Sequence, residues 1–325
     1  MPISWNEISP TSNGGTELIC RRLESSLPAD LLDKVQIIPS RVRDLDQSRH
    51  RILWCHDLPD DPESKHLENG GWKRFHRIVF VSHWQRQAYV RRFNIPWSKT
   101  AVILNGVPFE APNTKKDDAA VRLIYTSTPQ RGLEILVPVF KKLAEKFGDK
   151  VHLDVYSSFK IYGWEDRDQQ YQPIYDEIMA HPQMSYHGCV ANEDVRKALK
   201  DAHILAYPSI WPETSCMSLM EAMMSYCLCV HPDNAALSET AANLTRMYAW
   251  HEDPKEHAEV FYQVLNNAVE DVRNGNTDTE LMYQMDYATR NYAWGNRVND
   301  WVSLIQNVIE QPLVIENKQE FIYRT

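Results

Sequence analysis

Two carboxylates eight residues apart are the first residues in this sequence whose types and spacing suggest chemistry. Glu213 and Glu221 stand in Pro212-Glu-Thr-Ser-Cys-Met-Ser-Leu-Met-Glu221, after an apolar run that ends in Tyr207-Pro-Ser209 and on the approach to a helix predicted to begin near Met217 or Ser218. If all eight residues were helical, the rise per residue would separate the two acids by about 12 Å. That far exceeds the roughly 5 Å between the carboxylates of a retaining glycoside hydrolase. It is nearer the span from a sugar to a ribose across a diphosphate. Between the acids lie Thr214, Ser215, Cys216 and Met217, and amides at a helix N-terminus stabilise a diphosphate through unpaired N–H groups and the macrodipole. The competing structural reading is that Ser218-Leu-Met-Glu221 is a capping box, with Glu221 bonding back to the Ser218 amide.

The elements that must position these residues are legible as apolar runs alternating with helix-like stretches, the pattern of parallel sheets covered by helices. Arg51-Ile-Leu-Trp-Cys55 reads as a buried strand ending at His56-Asp57, and Ile78-Val-Phe-Val-Ser82 as a second, followed by a helix over 83–93. Ala101-Val-Ile-Leu-Asn105 is a third strand, closed by Gly106. Pro112-Asn-Thr-Lys-Lys-Asp-Asp118, polar and aperiodic, is the linker candidate. Beyond it a strand over 122–126, a turn over 127–132, a helix over 133–147 and a strand over 151–156 form βαβ units. Strands near 204–207 and 227–231 follow, then helices over 258–272, 279–292 and 297–309. Ligands of such sheets bind at the carboxyl ends of strands, beside helix N-termini, and the candidate residues do follow strands.

The chain has 325 residues, 43% hydrophobic and 24% charged, which is a folded composition with room for two compact α/β domains. Lys and Arg total 35 against 44 Asp and Glu, so the net charge of −9 argues against generic duplex DNA binding while leaving room for a local positive face, and no specific nucleic-acid partner is expected. No run approaches the roughly 18 apolar residues of a membrane span, and Met1-Pro-Ile-Ser-Trp-Asn-Glu is not a signal segment. The six cysteines form no CxxC pair and have no ligand-like spacing to histidine, so neither zinc nor disulfides are expected. A cytoplasmic protein without a metal or other cofactor is the simplest expectation.

The Pro212-Glu-x7-Glu-Ala-Met segment after Tyr207-Pro-Ser resembles the signature of the retaining glycosyltransferases of family 4, which have the two-Rossmann GT-B fold. Agreement runs in the family's order through Gly14-Gly15-Thr16-Glu17, Trp54-Cys-His-Asp57, Phe80-Val-Ser82, Asn105-Gly-Val107, Arg131-Gly132-Leu133, His187-Gly188 and Tyr207-Pro-Ser209. The resemblance implies an α/β, GT-B protein of two Rossmann-like domains facing a cleft. Residues 1–112 would form an acceptor-side domain, with 297–325 returning to complete it, and 113–296 the nucleotide-sugar-binding domain. The first domain is reduced, since Met1 to Pro10 offers only Ile3-Ser-Trp5 where the family has an apolar strand before the glycine loop.

The implied activity is retaining, metal-independent transfer of a hexose from a nucleotide sugar, of GDP-mannose or UDP-glucose type, to a glycan, lipid or protein. Glu213 would accept from donor-sugar hydroxyls and Glu221 from the ribose diol, because a carboxylate binds two hydroxyls at once. Arg131, in a strand-to-helix turn beside Gly132, would hold the diphosphate and stabilise its departing charge. Gly14 and Gly15, ahead of a helix over 16–27, would let amides reach the diphosphate from the other domain. His56 would lie beside the donor sugar. Transfer on one sugar face lets the leaving phosphate take the acceptor proton, so sugar positioning is its first role and general-base work its second. Ser82 and Asn105, at strand ends, would line the cleft or cap a helix or turn.

Departures from the family pattern are informative. Thr126 stands where an arginine is common, leaving one cation near the diphosphate. Cys216 and Tyr226 stand where glycine is frequent, the latter at a helix end that favours it. Tyr156-Ser-Ser158 replaces a glycine-rich strand end near the expected base pocket. Residues 72–99 carry Lys73, Arg74, Arg77, Arg86, Arg91, Arg92 and Lys99 without an acid, interleaved with Trp72, Trp84, Phe93 and Trp97. Such a segment suits peripheral contact with an anionic membrane or an anionic acceptor, or is a solvated helix face. Two rivals remain. One is a metal-dependent GT-A enzyme using Asp44-Leu-Asp46 as a DxD triplet. The other is a non-catalytic nucleotide-sugar or carbohydrate-binding protein.

Overall fold

The computed structural model describes residues 3–4, 12–117 and 119–315. The chain divides into two compact units, Met1–Gly106 with Trp294–Thr325, and Val107–Ala293. The cut thus falls a few residues before the expected linker on one side and before 297 on the other.

The first unit is built on a parallel sheet of β1 (Val35–Pro39), β2 (His50–Cys55), β3 (Arg77–Phe80) and β4 (Thr100–Val102), in that spatial order. Nearly every residue of β1 to β3 is buried, as expected of parallel strands covered on both faces, and β4 at the edge is half-buried. Ile3 makes a parallel bridge to Ile37, and the Ser4 amide donates to the Ile37 carbonyl at 2.9 Å. The short N-terminal stub therefore extends the sheet beside β1, while Trp5 lies outside the described residues. The Trp294–Ile309 helix belongs to this unit: it buries Trp301, Ile305 and Val308, and Trp301 meets Trp54 of β2 edge-on at 4.8 Å.

The second unit holds six parallel strands: β5 (Val121–Tyr125), β6 (Val151–Val155), β7 (Met184–Tyr186), β8 (Ile204–Ala206), β9 (Leu228–Pro232) and β10 (Arg246–Tyr248). Their spatial order is β10-β9-β8-β5-β6-β7, the doubly wound arrangement that reverses direction between β5 and β8. Helices span Leu133–Phe147, Gln172–Ala180, Asn192–Asp201, Met217–Met224, Pro254–Arg273 and Asp278–Tyr292. The longest begins on an Asp253 cap that accepts from the Lys255 amide, has proline at its first position, and buries Phe261, Leu265, Ala268 and Val269 as one stripe. Lys116, from the expected linker, is anchored to this unit through the carbonyls of Ala202, Ser225 and Tyr226. Tyr226 adopts φ 58°, so the helix end does take the left-handed conformation that favours glycine.

One expectation is corrected here, and one rival reading is set in its structural place. In the basic segment, Trp72 and Phe93 are core residues, packed with Phe75, Phe80 and Tyr89, so they cannot serve a membrane surface. Trp97 is 51% exposed with the Arg86 guanidinium 3.8 Å over its ring, and Arg91 and Arg92 are exposed. The DxD triplet is loop structure: Asp46 accepts from the amide and hydroxyl of Ser48, and the Asp44 carbonyl accepts from Gln36.

Candidate functional site

The carboxyl ends of β5 and β8 meet where the strand order reverses, the place where open parallel sheets bind ligands. Residues 126–132 leave β5 there, and 207–216 leave β8. The first loop is shaped by Gly132, at φ 126°: a Cβ at this position would overlap the Pro208 carbonyl oxygen and approach its carbon to 2.9 Å. Glycine thus lets the two loops touch. The Ile210 amide donates to the Arg131 carbonyl at 3.3 Å, and the Ser218 hydroxyl to that of Thr126 at 2.8 Å.

At this junction Arg131 Nη1 is bonded to Glu213 Oε1, and the Tyr207 hydroxyl donates to the same oxygen at 2.5 Å. The Glu213 side chain is 7% exposed and that of Arg131 20%. Burial disfavours the arginine's charge, but the adjacent carboxylate more than offsets this, and Arg131 is held well above its ordinary pKa. Burial, then the Glu213 charge, raises the Tyr207 phenol far above its usual range, so it remains a donor. The Trp211 indole lies 5.8 Å from the guanidinium and is 43% exposed. Tyr207 is the partner that spacing alone did not reveal; its place at the end of a buried strand, six residues before the acid, was the available signal.

Residues 213–216 are not helical; the helix starts at Met217 with Cys216 as its cap. Eight residues of helix therefore do not separate the two acids. Ser218 lies inside the first turn with its hydroxyl committed to Thr126, rather than at a capping position. Glu221 is buried, and its Oε1 accepts from Asn192 at 3.0 Å; Asn192 in turn accepts from Arg196, which is paired with Glu110 at 2.9 Å. This chain crosses two helices and a loop, which is why sequence spacing concealed it. Cys216 is buried, its thiol pushed up by burial and then by Glu213.

Five polar atoms around these strand ends are buried without a hydrogen-bond partner among the described residues: Thr126 Oγ1, Thr128 Oγ1, Gln130 Oε1, Ser157 Oγ and Ser215 Oγ. Beyond β6, Tyr156 stacks flat on His187 with centroids 4.3 Å apart and an interplanar angle of 8°, and His187 Nε2 donates to Asp154 at 2.8 Å. Ser158 and the Phe159 amide both donate to Asp168, which fixes the altered strand end.

The remaining candidates belong to the other unit. Gly14 is the N-cap of the Gly15–Ser26 helix, and Gly15 is exposed in its first turn. His56 packs its ring 4.5 Å from Trp54, with Nε2 shut off from solvent, and burial lowers its pKa to about 3. The imidazole is neutral near pH 7. Its loop is fixed by residues that motif reading missed: Ser40, at φ 54°, accepts from the amides of His56 and Asp57, while Gln85 and Tyr89 donate to the Asp57 carbonyl. Ser82 caps the His83–Phe93 helix by accepting from the Gln85 amide, the structural one of its two readings. Asn105 is buried, with Oδ1 unpartnered among the described residues. Among the described residues, no group of three or more His, Cys, Asp or Glu is placed to hold a metal ion.

No curated protein is matched by the sequence. Solved structures are matched through their fold. A glycosyltransferase from Rickettsia africae is 14% identical, with a TM-score of 0.69 over 94% of this chain and 84% of that one. HepE of Anabaena, solved with UDP-glucose, is 14% identical at a TM-score of 0.63, over 90% and 82% of the two chains. The pneumococcal O-GlcNAc transferase GtfA, solved with UDP and GlcNAc, is 11% identical at a TM-score of 0.66, over 92% of this chain but 61% of its own. The fold is that of the GT-B glycosyltransferases, which removes the GT-A alternative. Residues 120–267, the segment that contains Arg131, Glu213 and Glu221, match the family described as glycosyl transferases group 1.

Proposed function

We propose that the protein is a glycosyltransferase of the family 4 type, moving a hexose with retention from a nucleotide diphosphate sugar to a glycan, lipid or protein acceptor. The observation that carries this reading is the buried Arg131–Glu213–Tyr207 constellation at the switch point of the second sheet. Glu213 would accept from the hydroxyls of the transferred sugar, Glu221 from the ribose, and the loop from Thr214 to Met217 would offer amides to the diphosphate. Arg131 would stabilise the negative charge that builds on the leaving diphosphate, without a metal ion. Gly14 and Gly15 would offer further amides to the diphosphate, His56 would position the donor sugar as a neutral ring, and Asn105 would line the site. A GDP-mannose or UDP-glucose type donor is the proposed class, and the UDP-glucose bound to the Anabaena neighbour supports the latter.

No helix among the described residues is long and apolar enough to cross a membrane. We place the protein in the cytoplasm, with Trp97 and the arginines around it as its peripheral membrane contact.

The decisive experiment incubates the protein with labelled UDP-glucose, UDP-GlcNAc and GDP-mannose, with and without EDTA, and follows hydrolysis and transfer. Transfer that survives EDTA is expected. Glu213→Gln, which keeps a hydrogen-bonding group for Arg131 and Tyr207, should lower turnover roughly a hundredfold with the fold intact. Wild-type turnover in that variant removes the assignment. Thr126, where an arginine would supply a second cation, favours a non-catalytic nucleotide-sugar-binding protein as the second reading. Tight binding of a nucleotide sugar with no turnover would select it.

A further inference from the structure

We infer that Tyr207 is a positioning residue: with Arg131 it fixes Glu213 by one oxygen, so that the other is the carboxylate edge presented to the transferred sugar. The inference rests on the donor-sugar role proposed for Glu213. Tyr207 follows β8 directly, is 1% exposed, and packs against Tyr125 with ring centroids 6.0 Å apart. Its hydroxyl and the Arg131 guanidinium converge on Oε1 alone. Oε2 makes no hydrogen bond among the described residues, yet it is not sealed from solvent. The main chain of the same residue is held as well, since the Ala236 amide donates to the Glu213 carbonyl at 3.0 Å.

This arrangement has a physical consequence. The terminal torsion of a glutamate is broad, so an untethered carboxylate would sample many orientations and pay for ordering each time a sugar bound. A phenol tethered in the core removes that freedom at a position where water is excluded, and a hydrogen bond to an ionised acceptor is among the stronger kinds. Phenylalanine at 207 would fill the same space beside Tyr125 and would not itself need the hydroxyl. The hydroxyl thus serves Glu213 and not the packing.

The test is Tyr207→Phe, compared with wild type by calorimetric titration of UDP against UDP-glucose and of GDP against GDP-mannose, alongside thermal melting and steady-state kinetics. The variant is expected to bind the bare diphosphate as wild type does and to melt with it. It should lose about tenfold in affinity for the nucleotide sugar, the worth of one such bond. KM should rise by a similar factor, with kcat falling less. In a Glu213→Ala background, which leaves the phenol nothing at 213 to hold, the substitution should have almost no effect, because its action passes through that side chain. If Tyr207→Phe keeps the full preference for the sugar nucleotide, or weakens bare diphosphate and sugar nucleotide alike, or acts undiminished in the Glu213→Ala background, the inference is overturned. A wild-type protein that gains nothing from the sugar over the bare diphosphate overturns the parent reading instead.

Discussion

Removing the Arg131 side chain while leaving Glu213 in place is the sharpest perturbation of the site. In Arg131→Met an acid that is 7% exposed beside the arginine keeps the Tyr207 hydroxyl as its remaining side-chain partner. Stripping one partner from a buried ion pair costs about 3–5 kcal/mol, because the survivor is left as an uncompensated buried charge. The surviving phenol bond places this case at the lower end, about 3 kcal/mol. For a body the size of Val107–Ala293 that lowers the melting temperature by roughly 6–12 °C. Replacing both partners, as Arg131→Met with Glu213→Gln, takes the charge away with its counter-charge and should restore most of the stability loss, although transfer stays impaired. Differential scanning calorimetry of wild type, the two single variants and the double variant at neutral pH measures all four. If Arg131→Met melts with wild type, or the double variant is as unstable as Arg131→Met, the buried-pair argument is wrong.

Gly132→Ala should destabilise the same unit by about 2 kcal/mol or more, since a non-glycine residue at φ 126° is strained and its Cβ would push the Pro208 carbonyl away. Urea unfolding checks this, and wild-type stability in the variant contradicts the close approach of the two loops. Acid should weaken the fold through histidines buried as neutral rings. His231 is fully buried between the Pro232 carbonyl and Thr245, and burial lowers its pKa to about 4. The unfolded residue takes up its proton near pH 6.5 and the native one near 4, so the stabilisation is complete above the first value and shrinks as pH falls towards the second. Over that window each such residue contributes a slope of about 1.4 kcal/mol per pH unit. His231→Gln should flatten the dependence measured by denaturant unfolding between neutral pH and pH 4.5, and an unchanged slope would count against the assignment.

Much of the fold was legible because it is local. The helices His83–Phe93 and Leu133–Phe147 fall where their periodicity puts them, and β2, β5, β6, β8 and β9 within a residue or two of their apolar runs. Short strands were harder. β1 ends in proline, and β7 and β10 have three residues each, too few to show a period. The stub Ile3-Ser4 gains its strand partner only because β1 exists, so the sheet of the first unit could not be counted from sequence. Trp72 and Phe93 looked like surface aromatics because arginines and lysines flank them; the core cluster that claims them is assembled from four separate segments.

The candidate site divides along the same line between local and non-local information. Residue type and strand-end position made Glu213, Glu221, Arg131 and Gly132 candidates, but left the two acids balanced against a capping box until the family resemblance was added. What they bond to was not accessible. Arg131, expected to face a diphosphate, donates to a carboxylate 82 residues away, and the partner of Glu221 comes from a helix 29 residues earlier. Such pairings exist only once Gly132 has let the two loops touch and the sheet has placed β5 beside β8. Under the proposed function, a guanidinium already committed to Glu213 would meet a diphosphate as part of a fixed assembly. The chemistry of this site is therefore a property of the Arg131–Glu213–Tyr207 unit, and single substitutions within it should not add.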